Sequence, residues 1–432
     1  MNRSIVHAGA ANLRYEIREI VSLARTIGAM GQTMTWENIG DPVQKGEAAP
    51  DWIRDIVKAI LDEPMSWSYG DSLGAAEARA FLAAEVTGRG GVRVTPDDIL
   101  FFNGVGDAVS KVYGMLRPDA RVLVPVPSYS THAAAEAAHA AADPITYELD
   151  PEDGWRPNPD EIAARCGRDR SIVAIALLSP DNPTGAAYPR ELVDRIVEVA
   201  RRHGLFLIAD EIYTNIVFGG RPPLHMSEWI GDVPGLAMRG ISKEYPWPGA
   251  RCGWLEILNR DHDDAFREYV DALVAARRME VSATCLPQWS IPRVLGDVRY
   301  AAHLRRRAAM FGRRADEAVA ALDGCDAVIA NRPDGAFFLS VAFKPGALGG
   351  APTLPIADAG IRACVEHHVD GVPSDKRFVY YLMGATGIVV VPLSGFHGRR
   401  PGFRVTLLET DDDRRRWLFR TLRSSIDQYV AT

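Results

Sequence analysis

The sequence predicts an α/β protein in which a mostly parallel sheet is covered by helices on both faces, with a smaller α+β unit after it. Two observations predict the sheet: four short runs are apolar almost throughout, and helical stretches separate them. Strands that are buried on both faces have this pattern, whereas strands with one solvated face alternate. The third observation is a change near residue 296, after which a long helical stretch, four further apolar runs and a final helix follow.

The elements of the first part are predicted from runs of strand length. The four runs lie at residues 121–125, 171–179, 205–210 and 236–242, and a further strand is predicted at residues 99–102. Arg190–His203 carries apolar residues at helical spacing, and the alanine-rich residues 133–142 also favour a helix. Because ligands in such sheets bind outside the carboxyl ends of the strands, the polar residues that follow each run are candidate site residues.

The elements of the last part are more mixed. A long helix is predicted near residues 298–322 and a final helix near residues 410–429. Between them lie apolar runs at residues 327–330, 336–341, 388–392 and 403–408. Residues 346–372 are rich in glycine, proline and alanine, and we interpret them as an insertion or a mobile excursion.

Composition argues against several other classes of protein. The chain has 49 Lys and Arg against 56 Asp and Glu, a net charge of −7, which gives no electrostatic reason to expect nucleic acid. No stretch reaches the roughly 18 apolar residues of a membrane span, and the first residues lack the pattern of a signal peptide. The five cysteines show no CxxC spacing and are odd in number, which favours a reducing compartment. We therefore expect a cytoplasmic protein.

Polar residues of suitable types follow the predicted strands. They are Tyr129 after the first run, Asn182 after the second, Asp210 and Tyr213 after the third, and Ser242, Lys243 and Arg251 after the fourth. Upstream, Gly104, Val105 and Gly106 form a turn that opens a helix, whose free N–H groups and dipole favour a phosphate. Arg251 could bind the same phosphate through two hydrogen bonds.

The remaining types fit the other parts of a phosphorylated pyridine aldehyde. Lys243 offers an amine for a Schiff base, and burial would lower its pKa toward working pH. Asp210 suits a protonated ring nitrogen, which makes the ring an electron sink. Asn182 and Tyr213 are donors for a phenolate oxygen, and Tyr129 can stack on the ring.

Four motifs carry a resemblance to a known family. They are NPTG at residues 182–185, ADEIY at 209–213, SK at 242–243 and PGxRxGW at 248–254, and they occur in this order. With them the sequence resembles the class I/II aminotransferases of pyridoxal-phosphate (PLP) fold type I, over nearly the whole chain from Tyr15 to residue 404. Residues 15–18 and 334–338 are most similar to the bacterial alanine aminotransferase branch.

The resemblance implies the cofactor, the fold and the division of the chain. PLP is the expected cofactor. We expect a large domain at residues 51–295, with a mostly parallel seven-stranded sheet, and a small α+β domain at residues 296–432. Residues 1–50 are expected to belong with the small domain.

The resemblance also implies roles for individual residues. Lys243 is the expected Schiff-base lysine and proton shuttle, and Ser242 adjoins it in the cofactor site. Asp210 pairs with the ring nitrogen, Tyr213 and Asn182 hold the phenolic oxygen, Tyr129 stacks on the ring, and the turn at Gly104, Val105 and Gly106 holds the phosphate with Arg251. Arg404 binds the substrate α-carboxylate, with help from Gly40 and Asn182. Tyr69 matches a tyrosine that reaches the neighbouring subunit's cofactor, which implies a homodimer, and His132 matches a histidine behind the aspartate.

The expected activity is transfer of an amino group from an L-amino acid, such as alanine or another small or acidic one, to a 2-oxo acid such as 2-oxoglutarate. A PLP lyase on the same fold would use the same cofactor residues, and it is the second hypothesis. A non-enzymatic regulator is disfavoured because no basic DNA-binding module precedes the pattern. A dicarboxylic substrate needs a second cation, for which Arg277, Arg278 and residues 305–307 are all candidates. Gly240 and residues 245–248, 346–372 and 392–396 depart from the family pattern.

Overall fold

A computed structural model of the chain describes residues 5–13 and 16–431, so Tyr15 lies outside the described residues. The helices are α1 Glu16–Ala29, α2 Asp51–Leu61, α3 Ala76–Gly88, α4 Val105–Gly114, α5 Ser130–Ala140, α6 Pro159–Arg168, α7 Arg190–His203, α8 Met226–Trp229, α9 Ile241–Glu244, α10 Asp264–Arg278, α11 Cys285–Leu295, α12 Tyr300–Leu322, α13 Ala359–His368, α14 Ser374–Thr386 and α15 Asp412–Val430. The strands are β1 Thr35–Trp36, β2 Ile99–Phe102, β3 Arg121–Val126, β4 Thr146–Asp150, β5 Arg156–Pro157, β6 Ile172–Leu178, β7 Phe206–Asp210, β8 Gly235–Gly240, β9 Gly253–Leu258, β10 Val328–Ala330, β11 Phe338–Phe343, β12 Ile388–Val389, β13 Val391–Pro392 and β14 Gly402–Thr406.

The main sheet has the strand order β2-β9-β8-β7-β6-β3-β4-β5. The pairs from β4 through β3, β6 and β7 to β8 are parallel, whereas β9 is antiparallel to both of its neighbours. The mostly parallel α/β sheet is therefore confirmed. It contains eight strands rather than the expected seven, because the two-residue strand β5 pairs antiparallel with the edge strand β4.

A second sheet is formed by the later part of the chain. Its strand order is β10-β11-β14-β13, and all of its pairs are antiparallel. The N-terminal segment reaches this region through β1, which pairs with β12 so that Thr35 lies opposite Ile388. A mixed α and β arrangement after residue 296 was predicted, and the structure shows it.

The local sequence explains why these elements form. Strand β7 (FLIAD) is buried from Leu207 to Asp210, as a central parallel strand must be. Helix α7 buries Val193, Ile196, Val197 and Ala200, which recur three or four residues apart and therefore share one face. This helix ends at Gly204, whose φ of 64° is the left-handed conformation of a C-terminal cap.

Two predictions for local structure were incomplete. The apolar run at residues 236–242 ends as a strand at Gly240, and its last two residues begin the short helix α9 that carries Lys243. Residues 346–372 are not simply an irregular excursion, because they contain α13. That helix buries Ile361 and Val365, and α13 packs against α14. Within the described residues, no helix is both long enough and apolar enough to cross a membrane.

Candidate functional site

A cavity of about 490 Å³ lies at the carboxyl ends of the central strands. Most of the predicted site residues line it: Gly40, Val105, Gly106, Tyr129, Asn182, Asp210, Tyr213, Ser242, Lys243, Arg251 and Arg404. A larger, more open groove of about 970 Å³ involves Glu148, Arg195 and Arg399, and none of the predicted residues lines it. The smaller cavity is therefore the candidate active site.

Lys243 enters the cavity from helix α9, directly after strand β8. Its Nζ donates a hydrogen bond to Gly40 O at 2.6 Å. The side chain is partly exposed because it faces the cavity, yet the surrounding protein removes much of its water. Burial lowers the pKa of Lys243 from 10.5 to about 8, with Asp41 opposing this shift and Arg404, Arg251 and Arg307 adding to it. A usable fraction of the amine is therefore neutral near pH 7 to 8.

Asp210 lies at the end of β7 and is backed by a buried hydrogen-bonded chain. Its Oδ2 is 3.2 Å from His132 Nε2, and His132 Nδ1 is 3.1 Å from the Tyr113 hydroxyl. Its Oδ1 accepts a hydrogen bond from Ile212 N at 3.1 Å. Burial raises the pKa of Tyr113 well above its ordinary value, so its hydroxyl keeps its proton. His132 is thus placed behind Asp210, as the resemblance implied.

Arg404 forms part of the cavity wall from strand β14. Its Nη1 donates to Asn182 Oδ1 at 2.9 Å and its Nη2 donates to Asn38 O at 2.5 Å. The guanidinium carbon lies over the rings of Phe338 and Phe396, at 4.5 and 5.0 Å from their centroids. Such stacking suits a planar cation that binds a carboxylate through two parallel hydrogen bonds.

Tyr213 and Asn38 complete this wall. The Tyr213 ring packs edge-on against Phe337 and Phe338, with centroids 5.2 and 5.7 Å away. Burial raises the pKa of Tyr213 well above its ordinary value, so the hydroxyl is a donor. Asn38 Oδ1 is buried and accepts no hydrogen bond from the described residues. A buried polar atom of this kind indicates a partner supplied by a ligand.

The turn before α4 is shaped for close approach by an anion. Gly104 has a φ of 88°, and a Cβ there would lie 2.5 Å from Arg251 Nη2. A Cβ on Gly253 would lie 2.8 Å from Val105 N. The two glycines therefore let Arg251 and the first N–H groups of α4 converge, and these N–H groups have no partner within the helix. Gly240, where the sequence departs from the family pattern, has a steric reason to be glycine, since a Cβ there would lie 2.9 Å from Cys252 O.

Some predicted residues are not in the cavity. Tyr69 is 84% exposed and does not line the cavity of its own chain. Among the candidates for a second cation, Arg277 is buried and donates to Phe101 O and Glu280, and Arg307 is buried against Glu47. Neither they nor Arg278, Arg305 and Arg306 line the cavity.

Sequence reasoning missed several contributors. Arg25, on α1, lines the cavity and makes no hydrogen bond or ion pair with the described residues. Tyr113 is one of many apolar-face residues of α4, so no local pattern distinguishes it. Asp181 is buried and accepts hydrogen bonds from Ser128 Oγ at 2.6 Å and Thr184 Oγ1 at 2.8 Å. Asn38 lies two residues before the predicted site residue Gly40, which was the one available signal.

The residues present fit PLP. The cavity combines a buried amine of lowered pKa, a carboxylate at a strand end, and an anion cradle with an arginine. The unpartnered Asn38 Oδ1 gives independent support for a polar ligand. Each of these features serves a different part of the same phosphorylated pyridine aldehyde.

Comparisons with known proteins agree with this geometry. The family model for aminotransferase class I and II matches residues 37–418. An uncharacterized aminotransferase of Methanocaldococcus jannaschii is 47% identical over 432 residues, which is 100% of both chains. Glutamate-pyruvate aminotransferase AlaA of Escherichia coli is 33% identical over 288 residues, covering 66% of this chain and 69% of the relative. The solved alanine aminotransferase of Pyrococcus furiosus has a TM-score of 0.82 and 25% identity, covering 100% of this chain and 99% of that one.

These matches define the class of protein as the PLP-dependent enzymes of fold type I. Within that class, the chain belongs to the class I and II aminotransferases. It is an aminotransferase that depends on PLP and acts on amino acids and 2-oxo acids.

Proposed function

We propose that the enzyme transfers the amino group of a small or acidic L-amino acid, such as alanine or glutamate, to a 2-oxo acid such as 2-oxoglutarate by a ping-pong reaction. The observation that carries this proposal is that Arg404 and Lys243 line the same cavity, with the Arg404 guanidinium held by Asn182 and Asn38 and the Lys243 amine held by Gly40 O. The names of the glutamate-pyruvate and alanine aminotransferase relatives support the choice of substrates.

In this proposal the chain's own residues bind the substrate and move one proton. Bound PLP supplies an aldehyde that takes up the amino group and a ring that draws electrons from the substrate. Arg404 holds the substrate α-carboxylate, with Asn182 and Gly40 beside it. Once the donor amine has displaced it from PLP, Lys243 Nζ would take the proton from the α-carbon of the donor and pass it to the cofactor; in the second stage it would return a proton from the cofactor to the α-carbon of the 2-oxo acid.

Asp210, Arg251 and the turn before α4 would hold the cofactor in place. Asp210 would keep the proton on the ring nitrogen, and the hydrogen bond from His132 keeps the carboxylate oriented. Tyr213 and Asn182 would hold the phenolic oxygen, Tyr129 would cover the ring, and Ser242 lines the cavity beside Lys243. Arg251 and the turn at Gly104, Val105 and Gly106 would hold the phosphate.

Arg25 is the proposed cation for the distal carboxylate of a dicarboxylic substrate. Of the arginines that line the cavity, Arg404 is held by Asn182 and Asn38, and Arg251 lies beside Gly104 at the proposed phosphate site. Arg25 is exposed at the cavity and makes no ion pair with the described residues. It is therefore available to a second carboxylate, and it takes the place of the candidates predicted from the sequence.

A homodimer is part of the proposal. Trp67, Tyr69, Met279 and Val281 are 78, 84, 85 and 57% exposed, and we call them the apolar patch. A hydrogen bond from Gly70 N to Cys285 Sγ links the two segments that carry it. Exposed aromatic residues in such a group are typical of a protein interface. A second copy on this patch would let Tyr69 reach the partner's cavity.

The division of the chain and its location follow as proposals. We propose a large domain at residues 51–295, a small domain at residues 296–432, and an N-terminal segment at residues 1–50 that belongs with the small domain. The pairing of β1 with β12 supports the last assignment. The five cysteines form no disulfide, which supports a cytoplasmic location.

The test of the function is a half-reaction assay on the PLP-loaded enzyme. A panel of L-amino acids is added without acceptor, and the visible absorption, the 2-oxo acid product and free ammonia are measured. The proposal expects one 2-oxo acid per active site, no ammonia, and return of the original spectrum on addition of 2-oxoglutarate. Continuous release of 2-oxo acid and ammonia without an acceptor would indicate the lyase instead.

The role of Arg25 is tested by comparing two substrates. Arg25→Met is expected to raise KM for glutamate about ten-fold or more, and to leave KM for alanine within about two-fold, because only glutamate has a second carboxylate. Arg54→Met, on the exposed face of α2, serves as a control for the loss of a surface charge. An equal effect of Arg25→Met on both substrates would contradict the assignment.

A further inference from the structure

An arginine of helix α12 donates hydrogen bonds to the backbone around Lys243. Arg307 Nη1 donates to Lys243 O at 2.5 Å and to Glu244 O at 3.0 Å. The arginine is buried, and these contacts satisfy carbonyl groups at the end of the short helix α9. Helix α9 has only four residues and therefore few internal hydrogen bonds. A donor from another element thus helps to fix its backbone conformation.

The other edge of the Arg307 guanidinium is occupied by Glu47. Arg307 Nη2 lies 2.9 Å from Glu47 Oε2, and Nε donates to Glu47 Oε1, which makes the pair bidentate. The Arg307 and Glu47 side chains are only 5% and 17% exposed. A bidentate pair of this kind fixes the plane of the guanidinium, so it fixes the direction of the bonds to Lys243 as well.

Glu47 belongs to the same stretch of chain that contacts the lysine amine. Lys243 Nζ donates to Gly40 O, seven residues before Glu47. Between them the chain is folded on itself by hydrogen bonds from Lys45 N to Asp41 O and from Glu47 N to Pro42 O. Residues 40–47 therefore contact Lys243 at its amine directly and at its backbone through Arg307.

We infer that Arg307 and Glu47 are positioning residues that hold the backbone of Lys243 and set the charge around its amine. The inference rests on the proposed role of Lys243. The charged groups around that amine are Asp41, Arg404, Arg251 and Arg307, and Arg307 is one of the three that lower the pKa of Lys243. Glu47 offsets the positive charge of Arg307 through their ion pair.

The two residues should therefore shift the titration of Lys243 in opposite directions. Loss of the cation in Arg307→Met leaves the Glu47 carboxylate behind, which favours the protonated lysine nitrogen. Loss of the carboxylate in Glu47→Gln leaves the Arg307 cation uncompensated, which disfavours it. A shift of about 0.5 pH unit or more in each direction is expected.

The experiment is a pH titration of the visible absorption of the PLP-loaded enzyme, which reports protonation of the Lys243 nitrogen without turnover. Wild type, Arg307→Met, Glu47→Gln and the control Arg306→Met are compared. Arg306 is the exposed neighbour of Arg307 on α12, so its loss should leave the titration unchanged. Opposite shifts in the two test variants, with the control at the wild-type value, are the expected result.

Other outcomes overturn the inference. Titrations of Arg307→Met and Glu47→Gln that match wild type, or that move in the same direction, contradict it. If Arg307→Met does not fold, Glu47→Gln decides alone, because its shift must be downward. Absence of a visible band in wild type would instead contradict the role of Lys243, so the two failures are distinguishable.

Discussion

His132 Nε2 lies 3.2 Å from Asp210 Oδ2, and both side chains are buried. The far side of the imidazole meets the Tyr113 hydroxyl, so the Asp210 carboxylate is oriented from behind by two consecutive hydrogen bonds. Because its Oδ1 also accepts from Ile212 N, the carboxylate has a fixed plane at the end of β7. The pair defines the polar end of the proposed PLP site.

Asp210→Asn is expected to reduce kcat by about 10³-fold, or roughly 4 kcal/mol, because a neutral amide cannot hold a proton on the ring nitrogen. His132→Asn is expected to cost less, about ten-fold, since it removes only the support of the carboxylate. Steady-state kinetics with a saturating donor measure both. Equal losses in the two variants would contradict the distinction between holding and supporting roles.

Arg404→Lys is expected to raise KM for every amino donor about 100-fold, with a smaller effect on kcat. A lysine keeps the charge, but it cannot bind a carboxylate through two parallel hydrogen bonds or stack a planar group on the rings of Phe338 and Phe396. The measurement is kcat and KM for alanine and glutamate in wild type and variant. A KM within about two-fold of wild type for both donors would exclude Arg404 from α-carboxylate binding.

Gly104→Ala is expected to weaken PLP binding at least ten-fold. Its φ of 88° strains any residue with a Cβ, and that Cβ would press on the Arg251 guanidinium. Equilibrium binding of PLP, followed by absorbance, provides the measurement. Gly114→Ala, at the other end of α4 where a Cβ has open space, is the control and should bind PLP as wild type does.

Asp181→Asn is expected to stabilise the fold at pH 8 and not at pH 4. Burial raises the pKa of Asp181 from 3.8 to about 7. The folded state therefore keeps a proton that the unfolded chain releases, so this group makes stability fall as pH rises from about 4 to 7. Above pH 7 the variant avoids the cost, about 1–3 kcal/mol. Denaturant unfolding at both pH values is the test, and a difference independent of pH would contradict it.

The sheet and the positions of the strand-end residues could be predicted because their signals are local. Continuous apolar runs end at Asp210 and near Ser242, and parallel strands bring their carboxyl ends to one edge. The strand β5 was missed because two residues give no periodic pattern. The helix α13 was missed because the glycine and proline residues around it dominate the local composition.

The rest of the site depends on contacts between residues far apart in the sequence. Arg307 is one of three consecutive arginines, and only the packing of α12 against α9 buries it rather than its neighbours. Arg25 reaches the cavity because α1 lies over it, which no spacing along the chain predicts. Tyr69 is exposed and does not line the cavity of its own chain, so its proposed role depends on a second copy.

The central claim is that Lys243 binds PLP and moves the substrate proton, and Lys243→Arg tests it most directly because it keeps a cation in the cavity. The measurement is the visible spectrum of PLP-loaded wild type and variant after gel filtration, followed by turnover with alanine and 2-oxoglutarate. We predict that wild type retains its PLP band, whereas the variant loses it and its kcat falls by more than about 10³-fold. A variant that retains the band and turns over within ten-fold of wild type would contradict the account.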